Sequence, residues 1–351
     1  MVDPARPPHR RLQAGLGVLA ALLVLLVAGR LAPVERQPPP LPAEGDLPAS
    51  PQQRRGGVDF NEPISGLAAS RAALWVSHDT TVDRLDPRTL RVTATVALPP
   101  VVTVATSGSV IPIRGLAAAG DAVWVSVANS AAGLVRIDAA AARVVAALPV
   151  AAVAPAAVSG TGSAAGVWAV CCGGETFLGP SRLVRVDPAT NRLVAQVLLP
   201  GLPDAVGVGP SGVWVRAAAG PVWRVDPATN RVVAEVAVPH GLSGTQGSVL
   251  VAHDAVWVSD PASRTVVRID PRSNRVTGRV AVGGSPLAAA PDGTVLATSG
   301  GRVLGLGRRR LRSAPVEGLV GDYATAFAVV GGTVWVAEGD SLLPVDRRQL
   351  R

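Results

Sequence analysis

The stretch VDPATNRLVAQVLLP at residues 186–200 recurs as VDPATNRVVAEVAVP at residues 225–239. Weaker copies of the same pattern are LDPRTLRVTATVALP (85–99), IDAAAARVVAALPV (137–150) and IDPRSNRVTGRVAVG (269–283). Repetition at a near-constant period is the sequence signature of repeat architectures. The chain is therefore built from copies of one supersecondary unit.

A second motif, of the form Ala/Gly-Val-Trp-Val-Ser, lies upstream of most copies. Its tryptophans are Trp75, Trp124, Trp168, Trp214, Trp257 and Trp335, with successive spacings of 49, 44, 46, 43 and 78 residues. The last spacing is close to two repeats, and Leu296 in GTVLATSG takes the missing position. The pattern predicts seven units, of which the sixth in order is degenerate.

Each unit predicts four strands. A strand of small residues such as Gly66-Leu67-Ala68-Ala69 is followed by the apolar Trp strand, a strand ending at the repeated Asp, and an alternating outer strand. The near-continuous apolar character of the Trp strand indicates burial on both faces. Stacked blades provide that burial, so we expect an all-β, seven-bladed β-propeller with the tryptophans in its core.

The Asp-Pro-x-Thr-Asn-Arg turn has its own mechanics, because Asp accepts backbone N–H groups, Pro presets φ and Asn tolerates the left-handed conformation. An arginine stands two residues before each repeated Asp, on the same strand face. These arginines are Arg84, Arg136, Arg185, Arg224 and Arg268. A residue copied into most blades is structural by expectation, since ligand-binding residues are rarely repeated in that way.

With these motifs, the chain resembles the YVTN-type β-propeller repeat proteins of bacteria over about residues 64–346. The resemblance implies a propeller that acts as a binding module on the cell surface. Streptogramin lyases have a similar repeat design and use a metal with a histidine base. Their Glu-x-His pairing has no counterpart here, because Val238 and Pro239 precede His240.

The two ends of the propeller are expected to meet. The last unit stops before its fourth strand, whereas Gly57-Val58-Asp59-Phe60 precedes the first unit. We predict that this segment supplies the missing outer strand and closes the ring, since an open sheet edge is a liability.

The sequence before residue 57 predicts three parts: a basic cytoplasmic tail (1–11), a transmembrane anchor or signal peptide (12–30) and a Pro-rich disordered linker (31–56). Residues 14–29 carry no charge and follow Arg10 and Arg11, which orients the chain with its N-terminus inside. An uncleaved single-pass anchor in the cell membrane is favoured, and secretion after cleavage is the alternative. Both place the propeller, residues 57–351, outside the membrane.

Charge does not indicate a nucleic-acid partner. The formal net charge is +8, but Lys is absent and the arginines are spread along the chain instead of forming one stripe. We expect a mildly basic, solvated surface.

Long loops gather on one predicted face, where the second strands lead to the third and where one blade leads to the next. The long segments are 99–114, 171–181 and 239–246. Such a rim is the usual place for recognition. The polar candidates there are His78, Asp79, Arg114, Asn129, Glu175, Arg216, His240, Asp260, Arg264, Glu338 and Asp340.

Cys171 and Cys172, the only cysteines, belong to the same predicted rim. Outside the membrane they form either a strained vicinal disulfide or two free thiols. If the disulfide forms, the small covalent ring that it makes would stiffen this loop beside a ligand.

Enzyme activity is the less favoured interpretation. His78, His240 and His253 are the only histidines of the domain, and we expect His253 on the opposite face. The sequence shows no catalytic set and no metal-spaced cluster, and it implies no cofactor. The favoured function is a membrane-tethered binding module for a protein, peptide or glycan of the cell envelope, and the alternative is a streptogramin-lyase-like metal-dependent lyase.

Overall fold

Seven antiparallel sheets follow one another along the chain. The computed structural model describes residues 57–70, 72–99, 113–127, 133–150, 152–156, 165–173, 179–218, 220–238, 246–282, 286–290, 292–299, 302–307, 311–315 and 324–345. These residues form 28 strands, arranged as seven four-stranded sheets. The prediction of an all-β, seven-bladed propeller is confirmed.

The first blade consists of β2 (Ile64–Ala69), β3 (Leu74–His78), β4 (Thr81–Leu85) and β5 (Val92–Ala97), and the second of β6 (Ile113–Ala119), β7 (Ala122–Val127), β8 (Leu134–Asp138) and β9 (Arg143–Leu148). The third blade consists of β10 (Ala152–Ala156), β11 (Val167–Gly173), β12 (Gly179–Asp187) and β13 (Arg192–Leu198). The fourth blade consists of β14 (Pro203–Gly209), β15 (Gly212–Ala217), β16 (Val222–Asp226) and β17 (Arg231–Val236).

The fifth blade consists of β18 (Ser248–Ala252), β19 (Ala255–Asp260), β20 (Thr265–Asp270) and β21 (Arg275–Ala281). The sixth consists of β22 (Ala288–Ala289), β23 (Val295–Ser299), β24 (Arg302–Leu306) and β25 (Leu311–Pro315). The seventh consists of β26 (Ala326–Val330), β27 (Thr333–Glu338) and β28 (Ser341–Val345), and β1 (Val58–Asp59) completes it.

The ring closes as the sequence predicts. Strand β1 pairs antiparallel with β28, with Val58 opposite Leu342. The Ser341 hydroxyl donates to Asp59 at 2.7 Å, and the Phe60 N–H donates to the Asp340 carbonyl at 2.7 Å. Gly57 has no room for a Cβ, which would lie 2.9 Å from the Leu342 carbonyl oxygen. The first described residues thus complete the last blade.

The hydrophobic core lies between blades. Seven clusters of buried residues occur in the described chain, and each combines residues of two neighbouring sheets. Each repeated Trp packs against the following blade, and all six are at most 5% exposed. Leu296 takes this place in the sixth blade and is fully buried. Burying one such side chain is worth on the order of 3 kcal/mol, so the Trp motif sets the stacking of the blades.

The repeated Asp organises the hairpin between the third and fourth strands. Its carboxylate accepts backbone N–H groups two and three residues ahead, as Asp138 does from Ala140 at 2.9 Å and Ala141 at 2.8 Å. The Asn of the turn has a positive φ, 56° at Asn191 and 54° at Asn230. These turns therefore have the chemistry that the motif predicts.

The arginine before each Asp joins neighbouring blades. Arg185 stacks over Trp168 at 5.3 Å from the ring centroid and donates to the Pro227 carbonyl, 2.7 Å away, and to Asn230 Oδ1, 3.1 Å away, in the turn of the next blade. Arg136 makes the same pair of bonds to Pro188 and Asn191, and Arg224 to Pro271 and Asn274. We call this contact the arginine latch, and it gives Arg136, Arg185 and Arg224 the structural role that the repeat predicts.

The latch ends where the repeat degenerates. The sixth blade has Gly305 opposite Leu296, and the seventh has Pro344 opposite Trp335. Arg268, which faces the sixth blade, donates instead to Thr277 of its own blade at 3.2 Å. The regular blades are therefore linked more extensively than the last two.

The predicted tail, anchor and linker, residues 1–56, lie outside the described residues. In the described part of the chain, no helix is long and apolar enough to cross a membrane.

Candidate functional site

The strand order gives the propeller two unlike faces. The hairpin face carries the turns between the first and second strands and between the third and fourth strands of each blade, including the Asp turns. The loop-rich face carries the beginnings of the first strands and the connections between the second and third strands. His253 lies in the turn between β18 and β19, with a φ of 53°, and is therefore on the hairpin face as predicted.

A cavity of about 500 Å³ lies on the propeller axis towards the loop-rich face. All seven blades contribute to its wall, mostly at the beginnings of their first strands. The described lining includes Leu67, Leu116, Val206, Val249, Leu287 and Phe327 as apolar groups and Ser65, Arg114, Gln246, Ser248 and Thr325 as polar groups. Ligand sites in proteins are typically concave, apolar cavities of this size with a few polar groups.

Beside this cavity, Arg216 forms a buried ion-pair cluster between the fourth and fifth blades. Its guanidinium donates to Asp204 Oδ2 and, at 2.8 Å, to Asp260 Oδ1. The Arg216 side chain is only 1% exposed. Asp204 also accepts from the Gly247 N–H at 3.2 Å, and its carbonyl accepts from the Gln246 amide at 2.9 Å. We call Arg216, Asp204 and Asp260 the Arg216 cluster.

The Arg216 cluster requires Gly247. A Cβ at this position would lie 2.6 Å from the Arg216 guanidinium carbon and 2.4 Å from the Ser259 carbonyl oxygen. The guanidinium therefore crosses to the fifth blade through space that any larger residue would fill.

Two carboxylates share the one guanidinium in the Arg216 cluster. Burial raises the pKa of Asp204 above its ordinary value, and the charge of Arg216 offsets only part of this effect. Asp204 Oδ1 is buried and has no hydrogen-bond partner among the described residues.

The sequence contains a signal for this cluster. Arg216 stands where the Trp strands of the first, second and fifth blades have Ser77, Ser126 and Ser259, all fully buried. An arginine at this buried position, where those three blades have a serine, needs polar partners that those blades do not have to supply. Sequence reasoning placed Arg216 and Asp260 on one face, but it missed Asp204, Gln246 and Gly247.

A second polar cluster surrounds His78 at the junction of the last and first blades. The imidazole lies 3.2 Å from Glu62 through Nδ1 and 3.0 Å from Asp83 through Nε2. The Phe60 ring packs beside it with a centroid distance of 5.3 Å. Burial alone lowers the pKa of His78, but the hydrogen bonds and charges of Asp83 and Glu62 outweigh it and raise the pKa above 6.5. His78 thus anchors the segment that follows β1.

The other described candidates are spread over four blades. Arg114 is exposed and lines the axial cavity. Asp79 and Arg264 are exposed turn residues with φ values of 43° and 50°. Glu338 ends β27, and the exposed Asp340 lies in the turn before β28. Three candidates lie outside the described residues: Asn129, Glu175 and His240.

The cysteine pair lies at the end of the third blade's Trp strand. Cys171 is 8% exposed and packs in the cluster that joins the second and third blades. The side chain of Cys172 lies outside the described residues, so the vicinal disulfide stays a prediction.

The described residues contain no group of three or more His, Cys, Asp or Glu side chains placed to hold a metal ion. The Arg216 cluster, the His78 cluster and the polar lining of the axial cavity are the polar groupings of the loop-rich face that the structure brings together.

Comparison with known proteins shows the fold and no family. The structure is similar to Kuenenia stuttgartiensis hydrazine synthase, with a TM-score of 0.62 and 14% sequence identity over 82% of this chain and 97% of that chain. It is also similar to BamB from Moraxella catarrhalis, with a TM-score of 0.52 and 16% identity over 80% of this chain and 82% of that chain. No family profile and no curated protein matches the sequence.

Proposed function

We propose that this protein is a membrane-tethered, extracytoplasmic binding module that recognises a partner of the cell envelope through its loop-rich face. The observation that supports the proposal most is the difference between the faces. The hairpin face repeats one Asp turn and one arginine latch, whereas the loop-rich face carries groups found in one blade only, such as Arg216 and Arg114. Recognition needs unlike groups around a rigid platform.

The axial cavity supports the same proposal. It lies at the centre of the loop-rich face, and each blade contributes main-chain or side-chain atoms to its wall. A partner seated there would contact all blades at once, so the ring would position the contact residues rigidly. Binding to a preorganised surface avoids part of the entropic cost of association.

Capture of a partner tests the proposal. The full-length chain is expressed in its own membrane, solubilised and used to recover a saturable partner. Arg264→Glu reverses an exposed charge on the loop-rich face and Arg272→Glu reverses one in an Asp turn on the hairpin face. We expect Arg264→Glu to reduce recovery and Arg272→Glu to leave it unchanged. Equal loss with both variants, or loss with Arg272→Glu alone, would contradict the proposal.

Tethering is tested separately. Residues 12–30 supply the proposed anchor and residues 31–56 the proposed spacer. We expect the full-length chain to stay in carbonate-washed membranes, with its propeller accessible to protease from outside. Release into the wash would favour a cleaved signal peptide instead.

A further inference from the structure

Arg114 provides a positive charge in the axial cavity that the described residues do not neutralise. It is exposed, and among the residues described as lining the cavity it is the only charged one. The structure gives it no ion pair with a described residue, whereas Arg216 contacts two aspartates and the latch arginines contact carbonyl groups. An arginine guanidinium in a concave site is suited to bind a carboxylate through two parallel hydrogen bonds.

The rest of the cavity sets the size and polarity of a ligand. Leu67, Leu116, Leu287 and Phe327 provide apolar surface from four different blades. A volume of about 500 Å³ is at the lower end of the range for small-molecule sites, so it would hold a compact apolar group.

The charge of the described lining favours a ligand with one negative charge. Arg114 is the one charged residue among the described lining residues, so the described lining supplies a single positive charge. A doubly charged phosphate would be only half neutralised by Arg114. A single carboxylate is matched by the one available guanidinium.

We propose that the axial cavity binds the carboxylate of a compact apolar molecule, with Arg114 as its anionic anchor. This inference builds on the proposed binding role of the loop-rich face, and it names the chemistry recognised at its centre. A small free acid and the apolar C-terminus of a peptide share this chemistry.

Two probes of equal shape test the charge requirement. Binding of 2-naphthoate and of the neutral 2-naphthamide to the purified full-length chain is measured by titration calorimetry. The same measurements are made on Arg114→Gln and on the control Arg279→Gln, which removes an exposed arginine from outer strand β21. Thermal unfolding of each variant confirms that the fold is kept.

We expect one naphthoate per chain, bound at least about tenfold more tightly than naphthamide, which is the usual gain from a charged hydrogen-bonded pair. Arg114→Gln should abolish this preference, and Arg279→Gln should retain it. Absence of naphthoate binding, equal binding of both probes to the unmodified chain, or a preference that survives Arg114→Gln would overturn the inference.

A second pair of ligands distinguishes the two sources of the carboxylate. Acetyl-trileucine with a free carboxylate is compared with its amide as a competitor of naphthoate. Displacement by the free-acid peptide supports a peptide C-terminus as the ligand, and naphthoate binding that resists this peptide supports a small free acid.

The two sets of experiments distinguish failure of the carboxylate site from failure of the proposed function. If Arg264→Glu leaves partner capture intact while naphthoate still depends on Arg114, the proposed recognition role is wrong and the cavity site stands. If capture depends on Arg264 and naphthoate does not bind, only the carboxylate site is wrong.

Discussion

The two faces of the propeller use arginine in opposite ways. On the hairpin face, Arg136, Arg185 and Arg224 donate to a carbonyl and an Asn in the next blade, and the same contact recurs from blade to blade. On the loop-rich face, Arg216 occurs once and is neutralised by two aspartates in a buried cluster. Repeated contacts hold the blades together, and single contacts give one face an individual character.

The largest effect is expected at the Arg216 cluster. Arg216→Met would remove the guanidinium that pairs with Asp204 and Asp260 in a buried site. Breaking a buried ion pair by removing one partner typically costs about 3–5 kcal/mol. The free energy of unfolding, measured with urea, should fall by that amount. The matched control is Arg182→Met, because Arg182 is exposed and, among the described residues, donates to the exposed Gln196.

Further substitutions should restore part of the stability that Arg216→Met loses. Replacing both carboxylates by Asp204→Asn and Asp260→Asn in the Arg216→Met background should recover much of the lost free energy, since it removes the two charges that Arg216 paired with. A loss below about 1 kcal/mol for Arg216→Met alone would contradict the importance of the cluster.

The arginine latch should have a smaller effect. Arg185→Met loses bonds to Pro227, Asn230 and the Ala165 carbonyl, the last at 2.6 Å. Hydrogen bonds of charged groups are worth about 1.5–3 kcal/mol, so we expect a loss in this range on urea unfolding. Arg268→Met is the matched variant, because Arg268 also stacks on its Trp but bonds within its own blade. Equal losses of unfolding free energy for the two variants would show that the bonds to the next blade do not contribute the lost stability.

A third variant should stabilise the hairpin face. Ala142 has a φ of 48° at the turn position that Asn191 and Asn230 occupy elsewhere. The left-handed conformation costs an ordinary L-residue about 1–2 kcal/mol, and Asn adopts it more readily. Ala142→Asn should raise the free energy of unfolding by about 1 kcal/mol. Ala140→Asn in the same turn is the control, and a similar gain there would show that the conformation is not the cause.

The smallest effect is a pH dependence at the His78 cluster. Because the folded state raises the pKa of His78, the contribution of this group is present below its unfolded value of about 6.5 and is lost as the pH rises through the folded value. The stability difference between the unmodified chain and His78→Gln should therefore be larger at about pH 5.5 than at about pH 8.5. A difference that grows with pH would have the wrong sign.

The sequence predicts the hairpin face much better than the loop-rich face. The Asp-Pro-x-Thr-Asn turn depends on local backbone preferences, and the Trp strand on apolar patterning, so both are visible in one unit. Leu296 could be placed because its position is set by the repeat period, and the structure buries it as predicted. Local and periodic information is therefore enough for the blades.

The contacts of the loop-rich face depend on how blades stack. Arg216 lies 44 residues from Asp260, and Glu62 reaches His78 from the segment that closes the ring. No local pattern pairs these residues, and the partner of an isolated charge is defined only when two blades come together. The single arginine among the small residues of the Trp strands marks the position, but it does not identify the partners.

Amide hydrogen exchange, measured on the full-length chain with and without its captured partner, tests the division between the two faces most directly. We predict slower exchange in peptides that contain the beginnings of first strands, 64–67, 246–249 and 324–327. Exchange in the hairpin-face turns 86–91, 226–231 and 270–275 should be unchanged. Protection confined to those turns, with none around the axial cavity, would contradict the account.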